Sequence, residues 1–361
     1  MSVLLPSSRD QDRGFFLAGL LLVLISGMTM VSASAKLNPS LAVRHAAWIV
    51  VGVLVSLWVG RTNYRRWTDV AGIVYSMSLF ALALVPVAGA VRLGATRWLS
   101  IFGLSVQPSE MMKLATICLL ARYLSGQPNP LPARALWISL AFTGPPALLV
   151  FLQPDLGSAS IFAVIWLGMV WAAGMSPRLL AGLASSWLAL FPIGWHLLKD
   201  YQRDRLLVFI NPNADPLGAG YTIIQSTIAI GSGRLWGRGW LAGTQNQLNF
   251  LPERHSDFVF SVIGEEWGFL GAVLVVMLFG TLLSRAIHIA LDSSDPQGRL
   301  LIAGVVSWLG YQAFVNMGMV MGLLPVVGVP LPLISYGGSS MVTLWVALGL
   351  LQSVYRSDRA F

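Results

Sequence analysis

Along this chain the apolar residues come in long unbroken blocks. Crossing the hydrocarbon core of a bilayer takes about 20 residues of helix, and blocks of that order recur ten times, over 15–35, 43–60, 69–90, 109–125, 134–152, 157–175, 179–197, 258–284, 300–322 and 335–355. Strands of a membrane barrel would alternate apolar and polar over about ten residues, and runs such as LLVLI or AVLVVML do not alternate. The pattern predicts an all-α integral membrane protein of about ten transmembrane helices. It forms a single polytopic domain over 1–361, in which residues 198–257 make one large extracytoplasmic loop between spans 7 and 8.

Composition agrees: 56% of the 361 residues are hydrophobic and 11% charged, where a soluble domain carries about 25% charged residues. The first block, with Arg9 and Arg13 before it and SASA behind it, has some marks of a cleaved signal peptide. Its length and the nine blocks that follow favour a retained helix. With the N-terminus inside, twelve Lys and Arg fall in cytoplasmic segments and four in short outer loops, the expected asymmetry. Both termini are then cytoplasmic. The net charge of +8 is scattered over short loops, which argues against nucleic acid as a partner. Cys118 is alone and the four histidines are far apart, so no local metal-ligand spacing exists. GSGRLWGRG lacks the spacing and the βαβ context of a phosphate loop and reads as turns.

Polar groups in or beside the spans are the candidates for chemistry, because burying them in a membrane is costly. Glu110 and Lys113 stand three apart on one face of the fourth span, as a substrate contact or as a neutralised pair. Arg97, near Trp98 at the outer interface, can fork onto phosphate oxygens. Asp155, in LQPDLGSAS, suits a helix cap. YTIIQSTIAIGSGRLWG in the large loop reads as a short amphipathic segment on or in the bilayer. Pro330, Pro332 and SYGGSS predict irregular backbone before the last span. In NFLPERHSDFVFS, helical spacing aligns Asp257, Ser261 and Glu265, with Glu265 about 12 Å deeper. From the residues alone, Asp257 is balanced between a helix cap and an active-site base.

QPSEMMKL, QPDLGSA, GYTIIQSTIAIGSGRLWGRGW, NFLPERHSDFVFSVIGEEWGFLG and LPVVGVPLPLISYGGSS occur in the order of the signature blocks of the SEDS family of bacterial cell-wall polymerases, which the chain resembles over nearly its whole length. NFLPERHSDF is similar to the elongation branch; the division branch usually differs at Arg254. The resemblance implies a peptidoglycan glycosyltransferase of the inner membrane that joins lipid II disaccharides into β-1,4 glycan strands and releases undecaprenyl pyrophosphate, serving elongation and rod shape. It implies Asp257 as the essential aspartate, Glu110 and Lys113 as the family's charged pair, and Asp155 as the acid of the QPDLG block. Arg254 becomes a candidate for phosphate or sugar contact, Ser256 keeps a hydroxyl where many relatives have Thr, and Glu265 completes the polar stripe. It further implies a class B penicillin-binding protein as partner, among other elongation-complex membrane proteins, since the chain has no SxxK or KTG motif of its own. The residues leave open whether a divalent cation such as Mg or Mn assists. Two other readings stand beside polymerisation: a flippase for the same lipid, and a scaffold for the transpeptidase.

Overall fold

The computed structural model describes residues 12–359 apart from 37, 93–94, 102–103, 180, 184, 186–199 and 219. In chain order the described helices are α1 (Arg13–Ser34), α2 (Ser40–Arg61), α3 (Tyr64–Asp69), α4 (Ala71–Ala88), α5 (Pro108–Ser125), α6 (Ala133–Leu152), α7 (Leu156–Ala172), α8 (Asp200–Ile210), α9 (Tyr221–Gly233), α10 (Thr244–Gln247), α11 (Val259–Asp292), α12 (Pro296–Val320) and α13 (Gly338–Arg359). Nine of the ten expected blocks coincide with helices; the seventh, 179–197, lies largely outside the described residues. By length and composition α1, α2, α6, α11, α12 and α13 are able to cross a membrane, and α4 and α7 are shorter apolar helices.

Local chemistry sets the ends. Asp12 caps α1 by accepting from Phe15 N at 2.8 Å, and Asp295 caps α12 by accepting from Gln297 N at 3.1 Å, with Pro296 in the first helical position where its missing N–H costs nothing. Unlike a water-soluble bundle, this one is apolar on its outside as well as in its core. Trp137 is 72% and Phe80 66% exposed, while Glu110 and Lys113 are 2% and 1% exposed. Large apolar side chains turned outward suit a hydrocarbon solvent, and ionised groups then belong inside with a partner. At the end of the bundle remote from the start of α11, Asp295 accepts from Tyr64 Oη and from Arg65 Nη2 at 2.9 Å, and Ser353 Oγ donates to Thr62 O at 2.5 Å. These contacts tie α3, α12 and α13 together.

Two features depart from the sequence expectation. The stretch between α4 and α5, expected as an interfacial loop, is an antiparallel sheet of β1 (Ala90–Arg92), β2 (Ala95–Ile101) and β3 (Leu104–Val106) in the order β1-β2-β3. Also, α11 is not one straight rod. Gly268 has φ 68° and ψ −160°, which interrupts the helix and frees backbone groups inside a long apolar block. The loop supplies their partners: Arg238 N and Gly239 N donate to Glu265 O and Glu266 O at 2.9 and 3.0 Å, and Phe269 N and Leu270 N donate to Arg234 O and Leu235 O at 2.8 and 3.3 Å. Irregular backbone survives in a membrane only where protein satisfies it. The expected amphipathic segment is α9, packed on α11 through paired glycines: a Cβ on Gly233 would overlap the Gly264 carbonyl. Ser226 Oγ fixes the contact, 2.9 Å from Ser261 Oγ and 2.5 Å from Val320 O.

Candidate active site

Asp257 sits in the tight turns that lead into α11. Ser256 N and Phe258 N both donate to Glu253 O, at 3.1 and 3.2 Å. The cap position of α11 is Phe258, which has no side-chain oxygen and makes no cap hydrogen bond. Asp257 is therefore not employed as the cap that its position allowed.

Against this turn lies the irregular segment between α12 and α13, as the Pro330, Pro332 and SYGGSS pattern predicts. Ser335 Oγ donates to Ser256 O at 2.5 Å and accepts from Leu331 N at 2.7 Å, and Tyr336 N donates to His255 O at 2.9 Å. From α12, Asn316 Nδ2 donates to Asp257 O at 2.8 Å and to Val329 O at 2.7 Å. Gly328 passes close to the carboxylate: a Cβ there would lie 3.5 Å from Asp257 Oδ2, and its φ of +70° favours glycine. The other side of the same strap presses on Gly157, where a Cβ would overlap Val327 O and the Val329 side chain. Asp257 and the start of α7 thus face each other across residues 327–329.

The start of α7 carries the next charges. Asp155 caps it, accepting from Ser158 N at 3.1 Å, as its sequence context suggested, and also faces Arg97 Nη1 at 3.7 Å. Arg97, on β2, donates through Nε to Gln153 O at 3.2 Å and through Nη2 to Pro154 O, so the sheet serves to hold a guanidinium over the α6–α7 turn. A second guanidinium comes from the loop, where Arg205 Nη1 on α8 donates to Val326 O at 3.4 Å. All of these charges act on Asp257. Burial pushes its pKa up from 3.8 to about 7, the negative charges of Glu253 and Asp155 add to the rise, and Arg205 and Arg97 oppose it. A carboxylate of that value is poised to accept a proton near neutrality.

The remaining sequence candidates divide. Ser256 stays at the site, its hydroxyl donating to Glu253 Oε2 at 3.1 Å. Neighbouring His255 lies 3.9 Å from the same oxygen through Nε2, and burial holds it below the usual histidine value. Arg254, expected at the substrate, turns away from Asp257: it is buried and donates through Nε to Ala33 O at 2.8 Å at the end of α1. Glu265, aligned with Asp257 by helical spacing, lies inside α11 while Asp257 stands in the turn before it, and its carboxylate is committed to the loop. It accepts from Gln245 N at 2.8 Å and Asn246 N at 3.1 Å, and from Thr244 Oγ1 at 3.2 Å, and so occupies the N-terminus of α10, where a carboxylate complements the free N–H groups. Glu110 and Lys113 are 2.8 Å apart and buried, with Lys113 Nζ 4.8 Å above the Trp308 ring.

Sequence inspection missed Arg205, Asn316 and Ser335. Asn316 had a visible signal, an amide in an apolar block, but attention to ionisable groups passed over it. Among the described residues no three His, Cys, Asp or Glu side chains gather as a metal cage; a cation shared with a diphosphate needs only one or two carboxylates. An apolar cavity of about 370 Å³ opens at the break in α11, lined by Ile230, Phe260, Gly264, Phe269 and Met321 with Arg234. Its lining carries no carboxylate or histidine.

A helical bundle with the Glu110–Lys113 pair buried inside, large apolar side chains exposed on its outside and an acid flanked by arginines at one end defines a polytopic membrane protein with an acid–arginine site. The chain belongs to the FtsW/RodA/SpoVE cell cycle protein family, whose profile matches residues 13–360. It is 39% identical over 345 residues to the peptidoglycan glycosyltransferase MrdB of Escherichia coli K12, covering 95% of this chain and 93% of that one. Its structure resembles a chain from a peptidoglycan synthase complex that coordinates polymerization and crosslinking, with a TM-score of 0.84, 36% identity and coverage of 96% and 98% of the two chains. It also resembles the rod shape determining protein RodA of Thermus thermophilus, with a TM-score of 0.72, 31% identity and coverage of 98% and 99%.

Proposed function

We propose that this chain is the peptidoglycan glycosyltransferase of cell elongation, joining lipid II disaccharides into β-1,4 glycan strands. The observation that carries the site assignment is the Asp257 carboxylate, half-buried with a pKa near 7 and faced by Arg97 and Arg205. Asp257 takes the proton of an acceptor sugar 4-hydroxyl as that oxygen attacks the anomeric carbon of a lipid-linked MurNAc. General-base help of this kind is worth about 10²- to 10⁴-fold. An α-linked diphosphate yielding a β bond requires inversion in one displacement, with the base opposite the leaving group. The departing diphosphate gains negative charge, and Arg97 and Arg205 are the guanidiniums placed to oppose it. Asp155 orients Arg97 and keeps it extended along the start of α7.

The distribution of Lys and Arg supports a site on the extracytoplasmic side with both termini inside. An outer-leaflet site suits a substrate whose sugars stand in water and whose tail stays in hydrocarbon. Cross-linking then falls to a class B penicillin-binding protein as partner. A lipid transporter is the second reading, favoured by the interrupted α11, since carriers often bind on broken helices.

The test is polymer formation from lipid II by the purified protein with a class B transpeptidase, alongside Asp257→Ala and Asp257→Asn. Loss of polymer in both variants is the expected result. Undiminished polymer in either removes Asp257 as the base, and lipid movement in liposomes without any polymer favours transport.

A further inference from the structure

One face of α12 carries polar side chains at every fourth position. Trp308, Gln312 and Asn316 are fully buried, and the spacing stacks them along one side of the helix over about 12 Å. At the foot is the Lys113 ammonium above the Trp308 ring, 4.8 Å from its centre. Trp308 Nε1 donates to Gln312 Oε1 at 2.7 Å, which turns the other end of that amide outward, and Gln312 Nε2 donates to Pro330 O at 2.8 Å. One turn higher, Asn316 Nδ2 spends its two hydrogens on Val329 O at 2.7 Å and Asp257 O at 2.8 Å. Its Oδ1 is buried and has no partner among the described residues. An amide in a hydrocarbon-solvated bundle is costly, and this one leaves its own acceptor unmet to reach two carbonyls. Those carbonyls belong to the residue proposed as the base and to the neighbour of Gly328, whose backbone passes close to the carboxylate.

We propose that Asn316 is a positioning residue for Asp257. Through one nitrogen it fixes the distance between the Asp257 backbone and the strap at Gly328, with Gln312 holding the strap from below, so that the carboxylate keeps its aim across residues 327–329. The inference rests on Asp257 acting as the base. It gives an apolar-span asparagine a role in the reaction without contact to substrate.

Asn316→Asp is the sharpest perturbation, being isosteric while setting oxygen against two carbonyl oxygens. Initial rates of polymer formation are measured for full-length Asn316→Asp, Asn316→Ala, Gln312→Ala and Asp257→Ala with lipid II in detergent, over a range of lipid II concentrations and from pH 5.5 to 9. For both Asn316 variants kcat falls on the order of 10²-fold, the scale of a small misplacement of a reacting group, while KM changes less than about threefold. The acid limb of the pH profile also shifts. Glu253 on the same loop, Asp155 at the start of α7, Arg205 on α8 and Arg97 on β2 face the carboxylate and are all retained, so in Asn316→Ala, which adds no ionisable group, the shift reports the setting of Asp257 itself. Gln312→Ala shows the same split at smaller size. A folded Asn316→Ala with kcat within about threefold of the parent overturns the proposal, as does a loss of active protein with an unmoved pH profile. Should Asn316→Ala fail to accumulate, Asn316→Ser, which keeps one donor, is judged by the same split. Polymer from Asp257→Ala strikes the base assignment instead, whatever the Asn316 variants do.

Discussion

Replacing Asp257 by Asn removes a charge that the fold holds under strain, and the size of that strain follows from the structure. The carboxyl pKa rises from 3.8 to about 7 on folding, with burial as the largest cause. A folded value above the unfolded one means that the neutral form is favoured; its stabilising contribution is complete below 3.8 and is lost as pH rises through 7. At about 1.36 kcal/mol per tenfold change in ionisation, the loss is about 1.7 kcal/mol by pH 5 and about 4.3 kcal/mol by pH 8. Asn does not titrate, so the stability of Asp257→Asn relative to the parent should improve by about 2.6 kcal/mol between these pH values. Water still reaches the half-buried carboxylate and screens it, which brings the expectation to roughly 1–3 kcal/mol. Thermal unfolding of both proteins in one detergent at pH 5 and pH 8 is the assay. The variant should gain a few degrees on the parent at pH 8 compared with its standing at pH 5, while making no polymer at either. A variant Tm that stands the same relative to the parent at both pH values, or that falls relative to the parent at pH 8, refutes a raised Asp257 pKa.

Glu253→Gln removes the larger of the two negative charges facing Asp257 and keeps a carbonyl for the Ser256 hydroxyl. The acid limb of polymerisation should therefore move to lower pH, and a limb that stays or rises contradicts the charge arrangement. Gly233→Ala forces a methyl into the Gly264 carbonyl, whereas Gly231→Ala meets nothing within 4 Å. The first should lower Tm and expose a cysteine placed at Ser226 to a membrane-impermeant thiol reagent, and the second should do neither; equal behaviour of the two variants counts against the docking of α9.

The helices were legible because crossing hydrocarbon demands a block length that composition cannot hide, and nine blocks became helices near their expected bounds, α11 running eight residues past its expected end. Asp155 was legible as a cap because capping is local. What local pattern cannot show is the far partner. Helical spacing placed Glu265 on the face of Asp257, but the N-terminus of α10 packs on that face and takes the carboxylate. Arg254 stands three residues from Asp257 in the chain, yet a tight turn points its guanidinium to α1. Arg205 lies some fifty residues before Asp257, and only the fold of the loop sets it against the same acid. The strap was predicted as irregular backbone; that its glycine lies beside the carboxylate depends on the packing of α7 and α12.

The break at Gly268 bears on how parts of this protein can be exchanged with those of relatives. Backbone groups of 265–270 and of 234–239 complete one another's hydrogen bonding, so a graft that ends at residue 257 transplants half of a matched set into a membrane where the other half has no solvent to fall back on. The transferable module runs from α9 past the break, through residue 270. Chimeras cut there inherit both halves of the seam, and those cut at the apparent loop boundary inherit a mismatch.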